Sequence, residues 1–324
     1  MLPFRTSPVV LSRRHAAKLK PLISGNGKIL SASDWRFDPH CKPFTKLEHH
    51  LTLHLPKAAS KKNTMITPSA QVFCQLPFDE KTLGKGSEIH DAKFFKRFKI
   101  EETMKDMGYD AMSSDGSGKT MAFQFNQGMI IQLDMSLQAR AESKMDYVAE
   151  AFLRLCGFDS KPFAIVSMHE VHFDLFGRRC GAVPGHAVIL SSTGDLVLVC
   201  EDLLPLTPDE MVERQGHLGQ IMCDLLQILS VNLKTGPVIR NVFAIRMINH
   251  HVTCFRIDPN EETLKKLVKK KTKATPVFCE EEKLTLLCSD PDPMNNPGLS
   301  LIDPKQRKQA VELVSDIRSF IVNP

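Results

Sequence analysis

The chain has 324 residues, of which 42% are hydrophobic and 24% are charged, and its formal net charge at pH 7 is +5. This composition is ordinary for a soluble globular protein and excludes disorder along the whole chain. The sequence has no run of about 18 apolar residues, which excludes a transmembrane helix, so we expect no membrane insertion.

The positive charge is concentrated at the start of the chain. The first 62 residues hold twelve Lys and Arg residues against three acidic ones, a net charge of +9, so the remaining 262 residues carry −4. Residues 1–70 also lack a lasting apolar period, and we interpret them as a basic, poorly ordered arm. Such an arm indicates either a targeting signal or an anionic partner.

The compartment is left open between two interpretations. The first 33 residues contain no acidic residue, which is typical of a mitochondrial presequence, although three prolines interrupt any amphipathic helix there. The lysines at 269–271 equally suit a nuclear import signal. The nine cysteines form no C-x-x-C pair and several lie in apolar runs, which indicates reduced thiols in an intracellular protein.

Residues 71–137 are predicted to form a small mixed region. Residues 71–76 are predicted as a strand, and residues 121–125 and 129–133 as a β-hairpin around Asn126-Gln127-Gly128. The stretch from Gly116 to Thr120 is similar to the end of a phosphate-binding loop. Because a strand, and not a helix, is expected to follow it, we interpret this stretch as a surface turn.

Residues 138–324 carry the clearest periodicities. A helix is predicted from Met145 until Gly157 ends it, followed by strands at 163–166, 171–175, 183–190 and 196–200. A helix at 207–230, strands at 242–248 and 252–257, a helix at about 260–271 and a last helix capped by Asp303 complete the chain. From 141 to 257 the order is α-β-β-β-β-α-β-β, in which the first two strands can be one interrupted element. This predicts a mixed α/β, or α+β, fold.

A family resemblance begins in the first of these helices. The runs from Glu142 to Val148 and from Leu153 to Phe158 resemble the opening helix of the PD-(D/E)XK, or restriction-endonuclease-like, superfamily. They are most similar to the nuclease-like domains at the C-termini of Crinkler-type proteins. Later stretches at 181–190, 196–202, 220–232 and 242–248 fit the same pattern. The resemblance covers about residues 140–260 and implies an α-β-β-β-α-β core.

The resemblance also implies a metal site. In that superfamily, acidic residues on the first helix and adjacent strands hold Mg²⁺, which activates water for attack on a phosphodiester, and a Lys stabilises the developing charge. The helix acid corresponds to Glu142, and the acid of the E-x-K motif corresponds to Glu201. These two residues are the implied metal ligands.

Two residues of the family's catalytic set are replaced in this chain. Gly185 stands where the strand Asp belongs, and Leu203 stands where the Lys belongs. Asp195 or Asp202 could replace the missing Asp, and His186 is a softer candidate that suits Mg²⁺ poorly. Loss of one carboxylate and the cation is expected to cost several kcal/mol of transition-state stabilisation.

The leading interpretation is therefore a catalytically degenerate nuclease-like domain that binds DNA, RNA or a protein partner and needs no cofactor. One alternative is an active, divergent Mg²⁺-dependent endonuclease that uses Glu142, Asp195, Glu201 and Asp202. Another is a non-enzymatic interaction or scaffold protein, which the −4 charge of residues 63–324 favours. The basic residues expected to contact a nucleic acid are Arg178, Arg179, Arg246, Lys269, Lys270 and Lys271.

Overall fold

The structure is a computed structural model. It describes residues 30–31, 45–48, 66–83, 92–109, 117–138, 146–167, 171–175, 178–182, 184–203, 220–221, 224–232, 242–257, 284–290 and 296–322. The predicted helix at 260–271 and the predicted start of the helix at 207 lie outside these ranges. Within them the fold is mixed, with helices packed on a mixed β-sheet.

Of the described helices, five precede residue 163, one lies between two strands of the larger sheet, and one follows the last strand. In chain order they are α1 (Pro68–Gln75), α2 (Ala92–Lys96), α3 (Ile100–Asp106), α4 (Ser117–Gln138), α5 (Asp146–Leu155), α6 (224–232) and α7 (Pro304–Val322). Residues 220–221, just before α6, are also helical.

The strands form two sheets. They are β1 (Leu30–Ser31), β2 (Thr45–Glu48), β3 (Phe163–Ser167), β4 (Val171–Leu175), β5 (Arg178–Ala182), β6 (His186–Leu190), β7 (Leu196–Leu203), β8 (Val242–Ile248), β9 (His251–Ile257), β10 (Leu284–Cys288) and β11 (Leu299–Ser300). The larger sheet has the order β2-β10-β9-β8-β7-β6-β3, with β11 paired to β9, and the smaller has the order β1-β5-β4. In the larger sheet β7 and β8 are parallel, as are β2 and β10, and the other pairs are antiparallel.

The prediction of a hairpin in residues 121–133 is wrong, because these residues lie inside the 22-residue helix α4. The buried residues Ala122, Asn126, Met129 and Leu133 recur at the three- and four-residue spacing of one helix face. The Asn126 amide donates to the carbonyl oxygens of Ala122 and Ser69, at 2.8 and 3.0 Å, so it stabilises α4 against α1 and does not form a turn.

Two further predictions in this region also differ from the structure. Residues 71–76, predicted as a strand, lie mostly in α1, whose first turn is capped by the Thr67 hydroxyl accepting from the Ala70 amide at 3.1 Å. Residues 117–120, predicted as part of a surface turn, form the first turn of α4. No strand precedes them in the described residues 92–109, so the arrangement of a phosphate-binding loop is not present there.

Two short strands of the basic arm belong to the described residues. Its strand β1 pairs in parallel with β5, and its strand β2 pairs in parallel with β10 at the edge of the larger sheet. The arm therefore supplies one strand to each sheet.

The helix and strand predictions after residue 145 are largely confirmed. Helix α5 ends in a Schellman motif: Gly157 has φ +84°, the Phe158 amide donates to the Leu153 carbonyl, and the Gly157 amide donates to the Arg154 carbonyl. Helix α7 begins as predicted, with the Asp303 carboxylate accepting from the Gln306 amide at 2.8 Å. One difference is β5, which lies between the predicted strands at 171–175 and 183–190, where no strand was predicted.

The two faces of the larger sheet are covered by different helices. Leu198 and Cys200 of β7 belong to an apolar cluster that also contains buried residues of α1, α4, α5 and α7. We call this side the α5 face. Because successive side chains of a strand point to opposite faces, Val199 and Glu201 lie on the other side. There Glu201 contacts the helical residues before and within α6, and we call this side the α6 face.

Candidate functional site

Four positions singled out by the family resemblance, Gly185, Glu201, Asp202 and Leu203, lie at one end of the central strands of the larger sheet. The register pairs His186 at the start of β6 with Cys200, and Leu203 at the end of β7 with Ile248. Gly185, Asp202 and the β8–β9 turn therefore lie at the same end of these strands. The side chains at this end point to one or the other face of the sheet.

On the α5 face, His186 lies next to helix α5. Its Nε2 atom is 3.9 Å from Oε2 of Glu150, and Glu150 Oε1 accepts from the Arg154 guanidinium at 2.6 and 3.0 Å. Burial lowers the pKa of His186, and the nearby carboxylates of Glu150 and Asp146 offset only part of this effect. The imidazole is consequently neutral at pH 7, and Glu150 is mainly an ion-pair partner of Arg154.

Also on this face, the Asp202 side chain fills the space in front of Gly185. A Cβ atom added to Gly185 would clash with Oδ1 of Asp202 and would lie 3.4 Å from the Cys200 carbonyl oxygen. Gly185 stands where the family has its strand Asp. The structure therefore places Asp202, one of the two proposed replacements for that Asp, directly next to Gly185. Since Asp202 is itself buried, little solvent reaches this carboxylate.

On the α6 face, Glu201 is held between β7 and the helical residues that follow. The Gln220 side-chain amide donates to Glu201 Oε2 at 2.8 Å, and the Asp224 carboxyl lies within hydrogen-bonding range. Glu201 is 4% exposed and Asp224 is fully buried. Adjacent residues Glu201 and Asp202 thus point to opposite faces, as the alternation of a strand requires.

The Glu201–Asp224 pair is a buried carboxyl pair. Burial raises the pKa of Glu201 well above its ordinary value, and the neighbouring Asp224 raises it further. Burial also raises the pKa of Asp224, to about 7. Neither Asp224 oxygen receives a hydrogen bond from a donor in the described residues. A hydrogen bond between the two carboxyls therefore requires that they share a proton.

The other predicted catalytic residues are not brought to this pair. Asp195 lies in the turn before β7, six residues from Glu201, which at the rise of a strand is about 20 Å. Glu142 lies outside the described residues. Asp195 is therefore distant from Glu201 and Asp202 along the strand. Glu201 and Asp202 are adjacent in sequence but point to opposite faces of the sheet.

The predicted metal site was tested against the same geometry. Mg²⁺ retains several waters and needs octahedral space around one or two carboxylates. Glu201 and Asp224 are both buried, whereas a cation that keeps its waters needs carboxylates open to solvent. Within the described ranges, no group of three or more His, Cys, Asp and Glu side chains is placed to hold a metal ion. The residues in place do not fit a Mg²⁺ site.

The predicted nucleic-acid contacts fall in different parts of the structure. Arg246 is 1% exposed and donates to the Thr253 hydroxyl and the Asn296 carbonyl at 3.0 and 3.1 Å, so it is a structural residue of the interior. Arg178 and Arg179 belong to β5, but their side chains lie outside what the structure describes, as do Lys269, Lys270 and Lys271.

Gln220 and Asp224 were missed by sequence reasoning, although a signal for them exists. They are four residues apart in a predicted helix, so they lie on one helix face, and that helix follows a strand that ends in a carboxylate. Polar residues four apart in an otherwise apolar helix predict a buried polar contact.

Comparison with known proteins adds no relative. No protein-family model matches the chain, and no curated protein matches it.

The contact between Gly185 and Asp202 can be tested by a single substitution. We expect Gly185→Ala to lower the free energy of unfolding by about 1–3 kcal/mol, because the new methyl group forces the buried Asp202 carboxylate to move. Gly128→Ala is the matched control, since a Cβ there has no heavy atom within 4 Å inside α4. It should instead stabilise the chain by roughly 0.5–1 kcal/mol. Urea denaturation measures both, and an unaffected Gly185→Ala variant would contradict the contact.

Proposed function

We propose that residues 146–257 form a restriction-endonuclease-like domain that binds nucleic acid and does not cleave it. The order of elements supports the first part. If the β4–β5 hairpin, which pairs in the smaller sheet, is treated as an insertion, the order is α5-β3-β6-β7-α6-β8. This is the α-β-β-β-α-β order of the superfamily that the sequence resembles.

The observation that carries the absence of cleavage is the position of Glu201. Nuclease chemistry of this kind needs several carboxylates around one solvent-accessible cation. Glu201 is buried on the α6 face against Asp224, whereas Asp202 lies on the α5 face in front of Gly185. The active alternative needs both of them, together with Asp195, at a single metal, and their separation makes that alternative unfavourable.

The proposal predicts no metal-dependent nuclease activity. Incubation of the wild-type chain with plasmid DNA and with single-stranded RNA, in Mg²⁺ or Mn²⁺, should give no cleavage above that of a Glu201→Gln variant. Gln has nearly the size of Glu and can donate to Asp224, so this variant should keep its fold. Asp202→Asn is a second control on the α5 face.

One result would overturn the proposal. It is wild-type cleavage that Glu201→Gln abolishes while the thermal unfolding midpoint stays unchanged, because Glu201 would then act on the substrate.

A further inference from the structure

A tight turn between α2 and α3 holds three cations in four residues. Its backbone is fixed by three consecutive hydrogen bonds: Arg97 N to Phe94 O at 3.3 Å, Phe98 N to Phe95 O at 3.0 Å, and Lys99 N to Lys96 O at 3.3 Å. Lys99 has φ +49°, a left-handed conformation that ends the turn before α3 begins. The turn is therefore a defined structure.

The aromatic residues of this turn form its buried floor. Phe94 and Phe98 are buried and contact each other edge to face, with ring centroids 5.0 Å apart. The Phe98 ring also contacts the Phe78 ring, with centroids 6.0 Å apart. Both rings belong to the apolar core, so the floor of the turn is part of that core. With the rings inside, the Lys96, Arg97 and Lys99 side chains are left on the exposed side.

Two of these three cations have no acidic partner in the described part of the chain. The Arg97 guanidinium lies 4.8 Å from the Phe94 centroid and 5.9 Å from the Phe98 centroid, and the residue is exposed, so N–H groups that do not face the rings can reach solvent. Lys96 is exposed. Lys99 is 3.4 Å from Glu102, but both side chains are more than half exposed, so this ion pair is weak and easily displaced.

We propose that Lys96, Arg97 and Lys99, which we call the turn patch, bind the phosphate backbone of a nucleic acid. This inference rests on the proposed function and names the surface that performs it. A phosphate accepts the paired N–H donors of an Arg whose guanidinium contacts the aromatic floor, and neighbouring lysines contact adjacent phosphates as point charges. Because hydrogen bonds already fix the backbone of the turn, binding orders the three side chains and not the backbone.

A nucleic acid fits the turn patch better than an anionic membrane does. Membrane-surface sites combine cations with apolar side chains that enter the lipid. In the turn, Phe94 and Phe98 are buried. The large exposed hydrophobic residues of the described chain, Met121, Tyr147 and Val322, belong to other elements. The turn patch thus offers charge without an inserting group.

The test must separate the turn patch from the basic arm. Deletion of residues 1–62 is unsuitable because it removes β1 and β2. We would instead use the full chain with the six arm cations before β1 changed to Gln, namely Arg5, Arg13, Arg14, Lys18, Lys20 and Lys28. In this background, the test variant is Lys96→Gln, Arg97→Gln and Lys99→Gln. The control variant is Lys81→Gln, Lys161→Gln and Lys308→Gln, three exposed lysines elsewhere that give the same change in charge.

Binding is measured by fluorescence anisotropy with labelled single-stranded DNA, double-stranded DNA and single-stranded RNA over a salt series. We expect the test variant to bind at least tenfold more weakly at low salt, and the slope of log K against log salt to fall by about 2–3, the value for three phosphate contacts. The control variant should stay within about twofold of the background chain.

The outcomes separate the two proposals. Equal losses in the test and control variants, or no loss in either, overturn the turn patch and leave nucleic-acid binding intact. Wild-type chain that binds neither DNA nor RNA overturns the proposed function itself. Loss of binding to phosphatidylserine vesicles in the test variant, with oligonucleotide binding unchanged, also overturns the turn patch, since its partner is then a lipid.

Discussion

Arg307→Ala is expected to lower the free energy of unfolding by roughly 2–4 kcal/mol, since it removes packing, a charged hydrogen bond and a cation–π contact together. Arg307 is fully buried at the start of α7. Its guanidinium lies 3.7 Å from the centroid of Phe78 and 5.3 Å from that of Phe73, and it donates to the Leu76 carbonyl at 2.7 Å. The side chain thereby fixes the C-terminal helix to α1.

Arg307→Met distinguishes the volume of this side chain from its charge. Burial lowers the pKa of Arg307 to about 10, so the group stays charged at pH 7, and its Nε and Nη1 atoms have no acceptor in the described chain. A buried charge with incomplete hydrogen bonding can be replaced by an apolar side chain of similar size at little cost. The Leu76 carbonyl still accepts from the Phe78 amide at 3.0 Å. We therefore expect Arg307→Met to cost less than about 1 kcal/mol.

Chemical denaturation measures both variants, with the exposed Lys308→Ala as a control that should stay within about 0.5 kcal/mol of the wild type. If Arg307→Met is as destabilising as Arg307→Ala, the charge and not the volume of Arg307 joins the two helices.

The sequence predicted the elements whose apolar pattern is long or flanked by clear caps. Helix α5 with its terminal Gly157 and helix α7 with its Asp303 cap were placed nearly to the residue. Helix α4 was missed because Asn126-Gln127-Gly128 is a favourable turn sequence when considered locally. In the structure, burial of Met129 and its neighbours along one face of α4 outweighs the cost of about 1 kcal/mol for a helical glycine.

The candidate site was predictable in position but not in arrangement. An acid at the end of an apolar strand is visible in the sequence, and Glu201 was named because it corresponds to the acid of the E-x-K motif in the family resemblance. Which face it occupies depends on how the strand is rotated against the helices, and this is decided by packing between distant segments. The partner Asp224 could not be assigned for the same reason. The sequence shows which residues share a helix face, but not which strand residues that face contacts.

The Glu201–Asp224 pair should make the stability of the protein fall as pH rises through neutrality. In the unfolded chain these groups lose their protons near their ordinary pKa values of 4.5 and 3.8, whereas in the folded chain the pKa of Asp224 is raised to about 7 and that of Glu201 is raised well above its ordinary value. Between about pH 4 and these raised values, the folded state binds more protons than the unfolded state. Stability is then highest below about pH 4 for this pair and falls as pH rises.

Glu201→Gln should remove the part of this dependence that comes from Glu201. The substituted amide can donate to Asp224 without a proton, while the burial that raises the pKa of Asp224 is kept. We expect the variant to be less stable than the wild type, or equal to it, at about pH 4.5. At about pH 8 it should be more stable by roughly 1–3 kcal/mol, the scale of a shift of one to two pKa units.

The informative quantity is the difference in unfolding free energy between wild type and variant, measured by urea denaturation at several pH values, because the titration of other groups cancels in it. Glu312→Gln serves as the control. Glu312 pairs with Lys308 at 3.9 Å on the half-exposed side of α7, so its difference should change little over the same range. A wild-type chain that gains stability relative to Glu201→Gln as pH rises would mean that both carboxylates are ionised and held by a cation. In that case a charged ligand, and not a shared proton, occupies the space between β7 and α6.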